Sequence, residues 1–160
     1  MFLGESDHTL DAKNRVFVPK RFQEHLDRDE KGSLRAVLTR GFDGCLFLFS
    51  ATGFRAVVER LQTQSFEGQQ LRTVQRKFFA NTHEVSLDSS GRILIPEKLK
   101  GWAKLEREVV MLGAAERAEI WDAAKWREID DETDDDFEGM DTVLCGGGGA
   151  HPSSGGPSGA

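Results

Sequence analysis

Apolar positions along this chain come in short bursts separated by turn-forming residues. Residues 4–10 read as a strand, and residues 15–18, Arg-Val-Phe-Val, as a second strand too apolar to be wet on both faces. Pro19 ends that strand and opens a short helix over 20–26, because its fixed φ suits the first helical turn. Runs at 34–39 and 45–49, joined by Arg40-Gly-Phe-Asp-Gly44, predict a hairpin. Ser50 predicts an N-cap, since a hydroxyl can accept a free first-turn N–H, for a helix reaching about residue 63. Leu71, Val74 and Phe78 then follow helical spacing and predict a connecting helix over 66–80.

The same order of elements occurs twice. Asp11-Ala-Lys-Asn-Arg-Val-Phe-Val-Pro19 returns as Asp88-Ser-Ser-Gly-Arg-Ile-Leu-Ile-Pro96. Ala36-Val-Leu-Thr39 is answered by Val109-Val-Met-Leu112, Leu46 to Ser50 by Ala118 to Asp122, and Phe54 by Trp126. An internal repeat of this kind means one structural unit used twice. The expected fold is α+β, mainly β, with a first half over 1–64, a connecting helix over 65–80 and a second half over 81–129. Asp122 is the expected counterpart of the Ser50 cap.

The repeated motif has a physical rationale. An Asp at the first turn position accepts backbone N–H bonds from residues just beyond it. Gly91 takes a positive φ at little cost, and Asn14, at the matching place, is the next most tolerant residue. Arg15 and Arg92 leave the turns at the rim of the sheet, while Pro19 and Pro96 close the strands. A rim arginine can bond guanine O6 and N7 or clamp a phosphate. Lys13, Lys20 and Arg21 surround the first turn. The second offers Ser89, Ser90, Lys98 and Lys100 and is less basic around the turn. The first motif is therefore expected to dominate base reading. The opposing reading is that each Arg pairs with its motif Asp and only locks the turn. Sequence alone leaves both open.

Charge sharpens the picture. The net charge of −6 argues against a nucleic-acid partner until the chain is divided. Residues 1–126 carry 20 Lys and Arg against 18 Asp and Glu, whereas residues 127–160 carry one Arg against nine acids. The body is mildly basic and the acidity sits in one tail. That tail, 130–160, is too polar and glycine-rich to offset its ordering entropy, so disorder is expected. It reads as solubilising, with a partner segment or a screen for the basic surface as alternatives. Arg72, Arg76 and Lys77 on the connector read as packing or salt-bridge residues ahead of phosphate contacts.

Other chemistries find little support. Eleven Phe, three Trp and no Tyr favour a greasy core over a ring-stacking site. Cys45 and Cys145 form no metal-ligand spacing, and a buried, inert Cys45 is expected. His8, His25, His83 and His151 are too scattered to ligate a metal, and no nucleophile elbow or phosphate loop is present. No enzyme, cofactor, metal or small-molecule substrate is expected. No window is apolar enough for a membrane span, and residues 1–5 lack a secretory layout, so a cytoplasmic location is expected.

The motif Asp-x-x-Gly-Arg-x-x-x-Pro resembles the AbrB-like swapped-hairpin DNA-binding fold. Two copies in one chain, with Phe2-Leu-Gly-Glu5, His8-Thr-Leu-Asp11, Gln75-Arg76-x-Phe78-Phe79, Ala103-Lys-Leu-Glu106 and Ile120-Trp-Asp122, resemble the MraZ family over residues 1–129. That resemblance implies two halves interleaved into a small barrel-like unit. It also implies a sequence-specific transcriptional regulator of division and cell-wall genes, nucleoid-associated and assembled as a homo-oligomeric ring on direct repeats in double-stranded DNA. Its main DNA contacts would fall on Lys13 and Arg15, to which the reading of the turns adds Asn14, Lys20 and Arg21 in the first copy and Ser90 and Arg92 in the second. Asn14 departs from the family's usual glycine. The alternative within the fold is an antitoxin-like interaction module.

Overall fold

Runs rich in Val, Leu and Phe form the central strands because their side chains pack well on a pleated surface. The computed structural model describes residues 1–64 and 67–146. The first repeat supplies β1 (Glu5–Thr9), β2 (Arg15–Phe17), α1 (Lys20–Gln23), β3 (Asp27–Arg28), β4 (Leu34–Arg40), β5 (Leu46–Phe49) and α2 (Ala51–Gln62). After α3 (Gln69–Ala80), the second supplies β6 (Thr82–Ser86), β7 (Arg92–Leu94), α4 (Glu97–Trp102), β8 (Glu108–Ala114), β9 (Arg117–Asp122) and α5 (Ala123–Glu132). α6 (Asp134–Glu138) and α7 (Asp141–Leu144) follow. The predicted order of elements is present, with β3 as an addition that sequence reading missed. It is only two residues long and carries no apolar pattern.

Pairing is antiparallel throughout. One sheet runs β1-β8-β9-β5-β4-β3, with β6 also pairing β4, and β2 and β7 form a separate ribbon. The repeats exchange strands: β1 of the first pairs β8 of the second, and β6 of the second pairs β4 of the first. Their hairpins keep matching registers, Val37 opposite Phe49 and Val110 opposite Trp121. The sheet path is open, so strand hydrogen bonds do not close the expected barrel-like unit. The reason is local: β1 and β6 hand the chain through tight turns to β2 and β7, which pair with each other.

The core draws on both repeats. Val16, Val18, Phe22, Leu38, Leu46 and Leu48 pack in one cluster with Ile93, Ile95, Leu99, Met111 and Ile120. Burying each such side chain contributes about 1.5–3 kcal/mol, and neither repeat could build this interior alone. Phe17 is only half-buried and Leu94 is 57% exposed, so the motif triplets are core at their outer positions and not at their centres. Alternation along a strand requires this.

Both predicted caps form. Ser50 Oγ accepts from the Gly53 amide at 2.9 Å, and Asp122 Oδ2 from the Lys125 amide at 3.4 Å. Two expectations are corrected. The connector α3 buries no residue, and Arg72, Arg76 and Lys77 have no ion-pair partner among the described residues. The tail expected to be disordered from residue 130 is helical through much of 130–144. Three Asp residues open α6, where carboxylates favour a helix N-terminus, and Thr133 Oγ1 bonds the Ile129 carbonyl at 2.7 Å. Residues 65, 66 and 147–160, which belong to the predicted connector and tail, lie outside the described residues. The chain divides into two units, Met1–Arg127 and Glu128–Ala160. Among the described residues no helix is long and apolar enough to cross a membrane.

Candidate nucleic-acid interface

The two motif turns have the same hydrogen bonds, atom for atom. Asp11 and Asp88 each accept two backbone amides on Oδ1 at 2.9 Å, from Lys13 and Arg15 in one turn and Ser90 and Arg92 in the other. The turn residues opposite have positive φ, 60° at Asn14 and 77° at Gly91. The turns also hold each other. Val18 donates to the Gly91 carbonyl at 2.9 Å, and Ile95 to the Asn14 carbonyl at 2.8 Å. A side chain at Gly91 would displace the end of Gln23 and crowd Phe17.

Both arginines fold back onto their own turns. Arg15 Nε donates to Asp11 Oδ2 at 2.8 Å, and Arg92 Nε to Asp88 Oδ2 at 2.9 Å. This corrects the picture of a guanidinium projecting freely from the rim. The Asp–Arg pairing set against it is present in both turns. The arginines nevertheless stay open to solvent, each with about a third of its side chain exposed, 32% for Arg15 and 34% for Arg92. Among the described residues the terminal nitrogens of Arg15 have no hydrogen-bond partner. The backbone N–H of Arg15 is the largest influence holding the Asp11 carboxyl below its usual range, with its guanidinium adding to it. The Arg92 N–H does the same for Asp88.

The ribbon register places Arg15 across from Leu94 and Phe17 across from Arg92. These four share the face opposite the buried Val16–Ile93 pair. Lys13, Lys20 and Ser90 are exposed. Pro19 and Pro96 stand one residue before α1 and α4. Two predicted contact residues are employed elsewhere. Asn14 Nδ2 donates to Glu97 Oε2 at 2.6 Å and its Oδ1 accepts from Lys100 Nζ at 2.9 Å, tying the first turn to α4. Arg21 Nε donates to the Leu3 carbonyl at 3.2 Å and its guanidinium lies 5.0 Å from the Phe22 ring.

His8 sits 5.9 Å from the Phe17 ring and 2.7 Å from Ser6 Oγ. Burial, then the nearby Arg21 cation, holds its pKa below the usual histidine value. The signal that could have placed it was its position in the strand before the motif.

Comparison with known proteins rests on the same residues. A family model described as "MraZ protein, putative antitoxin-like" matches residues 1–77 and again 78–144. The chain belongs to the MraZ family. A protein of Pediococcus pentosaceus named Transcriptional regulator MraZ is 38% identical over 138 residues, 86% of this chain and 92% of that protein. Proteins of the same name from Moorella thermoacetica, 38% identical over 140 residues, and Carboxydothermus hydrogenoformans, 40% over 126, cover 88% and 79% of this chain and 94% and 84% of their own lengths. Each match to the MraZ model contains one copy of the motif, Asp11–Pro19 within 1–77 and Asp88–Pro96 within 78–144. The chain is a transcriptional regulator of the MraZ type.

Proposed function

We propose that this regulator reads double-stranded DNA with the outer face of the β2–β7 ribbon, Arg15 making the leading base contact. The observation that carries this reading is the geometry of Arg15, whose Nε is held at 2.8 Å by Asp11 while its terminal nitrogens have no partner among the described residues. An arginine anchored through Nε keeps the two-pronged edge that matches guanine O6 and N7. It also loses less side-chain freedom on binding than a free one. Asp11 is thus a positioning residue.

Lys13 and Lys20 supply phosphate contacts at the same face, with Ser90 on the opposing turn. The second turn is the weaker reader, because the Arg92 guanidinium faces Asp88 at 2.9 Å and Asp11 at 3.6 Å. The strand exchange between repeats supports two interleaved AbrB-like halves related by pseudo-twofold symmetry. The activity is binding, without a chemical step, and is exercised on nucleoid DNA in the cytoplasm.

A body with so small a positive balance neutralises few phosphates and binds weakly as a single unit. Repeating the face on a ring raises effective concentration without new contacts, and direct DNA repeats suit such a ring. A mobility shift with the DNA upstream of the chain's own gene, at two salt concentrations and beside native mass measurement, tests this. A salt-sensitive shift by a multimer that vanishes for Arg15→Ala is expected. Tight binding by a monomer, or an Arg15→Ala variant within twofold of the parent, overturns it.

A further inference from the structure

One surface of the body has chemistry that DNA reading does not use. Neither α2 nor α3 contributes a buried residue. Between them and the tip of the β4–β5 hairpin runs a groove of about 510 Å³, walled by Phe42, Phe47, Val57, Leu61, Val74 and Phe78. Phe42 is 71% exposed and Val74 59%. Contiguous apolar exposure of this kind marks an interaction surface.

The groove's rim is basic. Lys77 of α3 lines it, and α3 carries no acid. Arg40 lies at one end, its guanidinium 4.2 Å from the Trp102 ring, and Asp43 is the single acid among the lining residues. An apolar trough with a cationic rim suits an acidic amphipathic helix.

The chain carries such a segment. Residues 130–144 hold eight carboxylates and no Lys or Arg. Phe137, Met140 and Leu144 follow i, i+3, i+7 spacing, so they share a face of a helix. Gly139 and Met140, between α6 and α7, keep right-handed helical backbone, with φ of −67° and −74°. All three apolar residues are exposed, at 66%, 42% and 70%.

We infer that residues 130–144 of one copy dock in the α2–α3 groove of a neighbouring copy. The contact joins different patches on the two partners, and such head-to-tail contacts close into rings when the rotation allows. The inference rests on the ring reading above and names the surfaces that build it.

Two full-length variants test it, both altered only at exposed positions. Phe137→Asp with Leu144→Asp disables the segment, and Val74→Asp with Lys77→Glu disables the groove. Native mass at micromolar concentration should find each alone as a monomer, with unchanged far-ultraviolet circular dichroism. Mixed together they should form a one-to-one heterodimer, because one intact groove meets one intact segment. Either variant keeping the parent's subunit count, or a mixture without heterodimer, overturns the docking contact while leaving the ring reading intact. A monomeric parent chain overturns both.

Discussion

Arg92 of the second turn lies 3.6 Å from the Asp11 carboxylate of the first, so one carboxylate faces the arginines of both repeats. Asp88 has no such second partner among the described residues. The turns are alike in backbone and unlike in charge.

That difference separates two conservative substitutions. Asp11→Asn and Asp88→Asn each weaken a turn by removing a charged acceptor from two amides and a guanidinium. Asp11→Asn should lower Tm by a few degrees, and by more than Asp88→Asn. Thermal melts of the two variants check this, and an equal or reversed order would show that the cross-turn pair adds nothing.

Acid should expose the same carboxylates. Both native pKa values lie below the ordinary Asp value. Their contribution to stability is present above the unfolded-state pKa, near 4, and is lost as pH falls through the depressed native values. Urea midpoints should therefore drop as pH falls below about 4. The drop should be smaller in the Asp11→Asn, Asp88→Asn double variant. A parallel fall in parent and variant would assign acid sensitivity to other groups.

DNA affinity should rank the arginines. Arg15→Ala should cost about 1–3 kcal/mol in base discrimination, the range for a two-pronged contact, and leave native mass unchanged. Arg92→Ala should cost less. Arg15→Lys should restore charge without restoring specificity, because an ammonium lacks the planar fork. Titrations against operator and scrambled duplexes give the comparison, and a larger loss at Arg92 would reverse the assignment.

The two thiols should react very differently. Cys45 is buried, its Sγ 3.2 Å from the Phe42 carbonyl, and burial pushes its pKa up to about 12. Cys145 is exposed. Native protein at pH 8 should take one alkylating label, at Cys145, and a second only after denaturation. Prompt native labelling of Cys45 would mean that the β4–β5 hairpin opens far more readily than its packing suggests.

Sequence by itself determined the local order of this protein. Turn residues, prolines and apolar runs act over a few positions, so the doubled motif, the β4–β5 hairpin and the Ser50 and Asp122 caps were legible from the sequence. The tail helices were not legible, because composition averages over a segment and misses the Asp residues that open α6. Only tertiary structure decided the long-range facts. Strand exchange depends on which buried faces meet between positions as far apart as Thr9 and Glu108, and no local pattern encodes that pairing. The fates of Asn14 and Arg21 likewise turned on Glu97, Lys100 and Leu3, which sequence separation hides. Sequence marked Arg15 as a candidate for DNA. Its anchoring by Asp11, with the guanidinium's far edge left open, is a matter of ångströms that folding alone supplied.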